Sequence, residues 1–173
     1  VVAFADAVKL VQLRGKYMQQ AVPAGVGAMA AIIGLADDAI NTACEAAAGE
    51  EVVAAVNFNS PGQVVIAGHA GAVDRAIAAC KEAGAKRALP LPVSAPFHTS
   101  LMKPAADQLS AQIEATEFSA PAVPIVHNVN AKTESDPAKI KALMIEQIYT
   151  PVLWVDCTKA LVEAGIGQVV ECG

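Results

Sequence analysis

Three side chains able to do chemistry stand where packing alone calls for apolar ones. Along residues 3–20, a step of 3.6 residues per turn sets Ala7, Val11, Arg14 and Met18 on one flank of a helix. A guanidinium there cannot shed its charge and needs an anion. Two readings are open: a buried ion pair with a carboxylate of this chain, or a bidentate fork kept for a ligand carboxylate. His98 ends the proline-stiffened run Pro92-Val93-Ser94-Ala95-Pro96-Phe97, just before a helix N-terminus. The helix dipole opposes positive charge there, so a neutral imidazole suited to general-base work is expected, with a plain loop histidine as the alternative. Gln147 shares a helical face with Ile140 and Met144. Its amide or the last-turn carbonyls hold another group, or it is an ordinary polar residue at a helix end. His69 and His127 read as hydrogen-bonded structural residues.

The elements that must position these residues follow from periodicity and punctuation. The helix over 3–20 is expected to pack through Phe4, Ala7, Val8, Val11, Gly15 and Met18, and Pro23, Gly25 and Gly27 end it. Between 27 and 92 strands and helices alternate. The spacing predicts a strand at 28–35, a helix at 37–48, strands at 52–58 and 63–67 around Asn59-Ser60-Pro61-Gly62, a helix at 72–83 and a strand at 88–93. This β-α-β-β-α-β order is the ferredoxin-like pattern, of the size of a subdomain spanning 22–92. Beyond it come a helix at 100–115, a buried strand at 123–129 and a helix from Asp136-Pro137 to about 149. A helix at 158–164 and a strand starting at Val169-Val170 complete the reading. Residues 1–21 and 93–173 then form parts of one larger α/β layer that the subdomain interrupts. Both ends of the chain look cut.

Composition narrows the function classes. With 54% hydrophobic and 17% charged residues in 173, a sizeable core forms. A net charge of −5 and 4% aromatics without a basic block argue against a nucleic-acid surface. No run reaches the length of a membrane span, and no signal peptide is visible. Cys44, Cys80, Cys157 and Cys172 are too scattered for a metal site. They read as buried thiols of a reducing cytoplasm.

Several stretches carry a family resemblance: Leu13-Arg14-Gly15-Lys16, Gly27 to Gly34, Asn57 to Gly68 and Ser94-Ala95-Pro96-Phe97-His98. Gln147 to Val152 and Val169 to Gly173 fit the same pattern. Together they resemble the malonyl-CoA:acyl carrier protein transacylases of bacterial fatty acid synthesis, in order and over essentially the whole chain. The resemblance implies an α/β-hydrolase-like acyltransferase core, present in part, with an inserted ferredoxin-like subdomain. It implies malonyl transfer from malonyl-CoA to the phosphopantetheine thiol of acyl carrier protein through a serine ester, with no cofactor. By the same resemblance Arg14 grips the malonyl carboxylate, His98 is the base, and the Gln147 main-chain carbonyl fixes its tautomer in place of a triad aspartate. Phe97 and Asn59 belong with the substrate-binding residues. Phe97 disfavours an α-methyl group on steric grounds. Lys86 and Arg87 meet phosphates or the acidic carrier.

One departure is large. The family's nucleophile lies in a Gly-His-Ser-x-Gly elbow, which this chain lacks along with the Gly-Gln-Gly loop before it. Ser60, Ser94 and Ser100 have no elbow sequence. In the family the elbow precedes the helix that opens this chain, so the chain alone is expected to be inactive and the full-length protein a monomer. Two other readings stay open: an acyltransferase domain of a polyketide synthase, and a non-catalytic carrier-binding module.

Overall fold

The computed structural model describes residues 1–93 and 95–172. Ser94, which flanks His98 in sequence, and Gly173, at the end of the strand expected from 169, lie outside the described residues. Helices and antiparallel sheets make up an α/β chain. Its elements are α1 (Phe4–Ala21), β1 (Gly27–Ile33), α2 (Asp37–Ala48), β2 (Val53–Ser60), β3 (Gln63–His69), α3 (Ala70–Glu82) and β4 (Arg87–Pro90). A 3₁₀ turn (Ser100–Met102), α4 (Lys103–Ala115), β5 (Val126–His127), β6 (Lys132–Thr133), α5 (Pro137–Glu146) and α6 (Trp154–Glu163) follow.

The first four strands form one sheet in the order β2-β3-β1-β4, antiparallel throughout. Alternation along each strand gives the sheet two apolar faces. Ala30, Ile32, Val64 and Ile66 point to one side, where Ile40, Cys44, Val73, Ala76 and Cys80 of α2 and α3 cover them. Met29, Val56, Val65 and Ala67 point to the other, towards Leu91 and Phe97. A bulge in β2 sets two residues, Val56 and Asn57, where β3 advances by one between Ile66 and Val65. The extra residue reverses the alternation, so Phe58 joins the helix-covered side. It also turns the outer edge of β2 towards the chain after α5. Val152 N–H donates to the Val56 carbonyl at 2.8 Å, and Phe58 N–H donates to the Val152 carbonyl at 3.0 Å. Those bonds tie residues 147–152 to the sheet.

A second cluster joins α1, the 3₁₀ turn, α4 and the turn after α5 through Leu10, Met18, Met102, Leu109, Ile113 and Ile148. The packed side of α1 is therefore not the one expected. Phe4, Val8 and Val11 are exposed, at 85%, 51% and 70%. Apolar residues lie on more than one side of this helix, and periodicity cannot tell which side finds a partner. The strand expected at 123–129 also shrinks, to Val126–His127 paired with β6, while Val123 is exposed. A continuous apolar run becomes a buried strand only where neighbours flank it, and among the described residues β6 alone does so. For the same reason Val169 and Val170 form no strand and are exposed. The helix expected to reach 149 ends at Glu146. Its last turn tightens, with Ile148 N–H bonding to Ile145 and Tyr149 N–H to Glu146, ahead of Pro151.

One glycine sets how closely two strands meet. A Cβ on Gly68 would run into the Val52 carbonyl and the Cα of Val53, both backbone atoms that cannot swing aside. Gly68→Ala in the full-length protein is expected to cost about 2–3 kcal/mol in urea unfolding. An unchanged midpoint would show that the β2–β3 contact is slack.

Candidate active site

The stretch that presents His98 is held by short-range bonds. Phe97 N–H donates to the Ala95 carbonyl at 3.0 Å, and the buried Thr99 hydroxyl donates to the Pro96 carbonyl at 2.7 Å. Between them His98 has φ 61°, in the left-handed region. A non-glycine residue there costs on the order of 1 kcal/mol, repaid by its surroundings. Thr99 is a residue the sequence reading passed over. Its place just before the turn at Ser100 was the available signal, because Ser and Thr favour such positions.

The imidazole Nδ1 lies 2.9 Å from the Gln147 main-chain carbonyl. A carbonyl only accepts, so Nδ1 carries the proton and Nε2 is left with the lone pair of a base. Burial pushes the His98 pKa below the ordinary histidine value; the Gln147 carbonyl opposes this, and the Arg14 charge adds to it. The expected neutral imidazole is thus present for a different reason. Helix α4 starts only at Lys103, after the 3₁₀ turn, and a helix dipole fades within its first turn.

Arg14 sits half-buried on α1, and burial lowers its pKa without discharging it. Among the described residues no carboxylate pairs with it. Its Nη2 donates instead to the side-chain oxygen of Gln147 at 2.9 Å. Of the two readings of Arg14, the internal ion pair has no support among the described residues. Gln147, the C-cap of α5, thus touches both charged-group candidates, one through its side chain and one through its backbone.

Arg14 and Gln147 line a cavity of about 220 Å³ with Leu10, Leu109, Ile113 and Met144. His98 lies behind its Gln147 wall rather than among the lining residues. His127 lines this cavity too, and its buried Nε2 has no partner among the described residues, contrary to the hydrogen-bonded role expected. His69 does fit that role: its Nδ1 accepts from Val52 N–H at 2.9 Å. Phe97, next to the base, packs against both the helical cluster and the second sheet face. The structure does not bring Asn59 to Arg14. Asn59 lines a separate cavity with Ser60, Pro61, Trp154, Val155 and Thr158. Lys86 and Arg87 are exposed and form no ion pair among the described residues. Strand register puts them at the sheet end that carries Ser60, through Arg87 beside Ile33, Ile33 beside Gln63 and Gln63 beside Ser60. Among the described residues no hydroxyl bonds to His98, and no His, Cys, Asp and Glu side chains gather as metal ligands.

Known proteins resemble this chain in sequence and in fold. Residues 1–172 match the acyl transferase domain family. The chain is 57% identical to the malonyl CoA-acyl carrier protein transacylase of Salmonella typhimurium, over 100% of this chain and 56% of that protein. It is 41% identical to the protein of that name from Staphylococcus aureus strain MRSA252, again over 100% of this chain and 56% of the relative. The chain therefore spans about half the length of the curated relatives it matches. An acyl carrier protein S-malonyltransferase from Vibrio cholerae superposes with a TM-score of 0.95 at 59% identity, covering 96% of this chain and 54% of that one. A malonyl-transacylase solved in complex with a type II PKS acyl-carrier protein gives 0.96 at 52% identity, covering 97% and 54%. With the family matched over nearly all of its residues, the chain belongs to the acyl transferase domain family.

Proposed function

We propose that the whole protein transfers a malonyl group from malonyl-CoA to the phosphopantetheine thiol of an acyl carrier protein. The observation that carries this reading is a half-buried guanidinium without a carboxylate partner among the described residues, linked through one glutamine to a tautomer-fixed imidazole. A free carboxylate on the acyl group would complete the charge of Arg14. Nε2 of His98 would take the proton of a serine hydroxyl, supplied by sequence outside this chain, as its oxygen attacks the thioester carbonyl. The C–S bond then breaks, and the imidazolium returns the proton to the departing CoA thiolate. The second half runs in reverse: His98 deprotonates the pantetheine thiol, sulfur attacks the serine ester, and the serine recovers its proton. No cofactor is needed.

The sheet order β2-β3-β1-β4, with α2 and α3 on one face, supports a ferredoxin-like subdomain over residues 22–92. Residues 1–21 and 93–173 then supply part of an α/β-hydrolase-like core. Lys86 and Arg87, exposed at one end of that sheet, suit the phosphates of coenzyme A or an acidic carrier surface. Asn59 and its cavity lie at that end too, which fits contact with the pantetheine arm better than with the malonyl carboxylate. No described helix is long and apolar enough to cross a membrane. Free thiols buried at Cys44, Cys80 and Cys157 suit a reducing cytoplasm, whereas Cys172 is exposed rather than buried as expected, because no described element covers it.

In the full-length protein, Arg14→Ala is expected to lower kcat/KM for malonyl transfer about a hundredfold more than for acetyl transfer, the scale of a lost charge-assisted contact. Equal losses for both acyl groups would remove the clamp. Neutral imidazole is the working form, so its fraction grows as pH rises through the His98 pKa. Because that pKa is lowered, the acid limb of kcat/KM is expected below the ordinary histidine range, leaving a plateau through neutrality. Arg14→Ala removes one lowering charge, and its acid limb, read with acetyl-CoA, should move to higher pH. Replacing Phe97 by Ser is expected to raise the methylmalonyl-to-malonyl rate ratio about tenfold, the worth of room for one methyl. A ratio that stays put would place the ring away from the acyl group.

A further inference from the structure

The arginine is aimed by an amide, and that choice of partner has chemical content. Arginine only donates, so the contact at 2.9 Å fixes the Gln147 amide with its oxygen towards Nη2. One N–H of the fork is used, and the others stay available for a carboxylate. A glutamate in the same place would form an ion pair, cancel the positive charge and repel an anionic acyl group. Glutamine holds the guanidinium without neutralising it. The same residue's backbone carbonyl fixes His98 at 2.9 Å, so both are referenced to one short segment of chain. That segment is itself fixed: Gln147 N–H donates to the Leu143 carbonyl, and Val152 is tied to the sheet edge. Nothing else among the described side chains accepts a hydrogen bond from Arg14.

We propose that the side-chain amide of Gln147 is a positioning residue for acyl-group selection, aiming the Arg14 fork at a carboxylate while its backbone separately orients the base. This rests on the malonyl-transfer reading and deepens it. The side chain governs which acyl group is held, and the carbonyl governs the tautomer of His98. Because the carbonyl survives any substitution at 147, the two roles come apart by mutation.

The test uses the full-length protein, with malonyl-CoA and acetyl-CoA as donors and an acyl carrier protein as acceptor. For Gln147→Ala, the malonyl KM is expected to rise about tenfold, the scale of a hydrogen bond to a charged group, and the malonyl-to-acetyl ratio of kcat/KM to fall by a similar factor. The acid limb of the pH profile should keep its wild-type position. Gln147→Glu preserves shape while adding a negative charge. Its malonyl KM should rise further, and its acid limb should move to higher pH because the carboxylate favours the imidazolium. An unchanged malonyl KM in Gln147→Ala, or an equal rise for both donors, would overturn the proposal. Should Gln147→Ala lose its fold, the near-isosteric Gln147→Glu decides, and a malonyl preference left intact there would overturn it equally. If the wild type itself fails to favour malonyl, or Arg14→Ala lowers both donors alike, the malonyl-transfer reading falls. If those two behave as expected and the Gln147 variants do not, only this inference falls.

Discussion

A single residue at the end of α5 holds together what the chemistry needs. The carbonyl of Gln147 accepts from His98, and its amide oxygen accepts from Arg14, each at 2.9 Å. These partners come from distant parts of the chain, one on α1 and one on the stretch after β4. Short-range bonds hold the backbone at His98, and α1 holds that at Arg14, but the aim of each side chain comes from Gln147. His98 even pays a backbone penalty for its conformation. A shared acceptor residue fixes their relative geometry more tightly than two independent contacts would, because movement of the α5 end carries both along.

Two apolar clusters support that point, and Phe97 packs against both. The helical cluster buries Ile148 directly after Gln147, with Tyr149 packed against it. The second sheet face holds Phe97 directly before His98. Each polar residue therefore has an apolar neighbour in sequence that is locked into a core. Burial is also what lowers the His98 pKa, so the packing that places the imidazole keeps it neutral.

Much of this was legible in the sequence, and the gaps have physical causes. The alternating unit from β1 to β4 was legible because its turns carry glycine or proline and every one of its strands finds its partners within the unit. Arg14 and His98 stood out because each is a polar group in an apolar or stiffened setting. The helix end at Gln147 offered its amide or its last-turn carbonyls as a holding group, but that the carbonyl serves His98 was legible only through the family resemblance, since a main-chain acceptor leaves no mark in residue type. Its side-chain bond to Arg14 was not read at all. The packed side of α1 and the strand at 123–129 misread for a shared reason. Apolar character reports that a surface wants covering, whereas the covering element is a tertiary fact. Asn59 was grouped with the substrate-binding residues through the resemblance, and it lines a cavity apart from Arg14, a separation that a turn motif does not show in sequence.

The seam between β2 and Val152 has one more consequence. It consists of main-chain bonds on either side of a bulge, and main-chain bonds survive changes of side chain. The bonds themselves thus depend on the count of residues in β2 and not on their types, while Val56 and Phe58 also fill the two sheet faces with their side chains. Adding or dropping a single residue in β2 would instead shift the anchoring point by one strand position and carry the α5 end with it. In this part of the molecule, the anchoring is sensitive to length before it is sensitive to residue type.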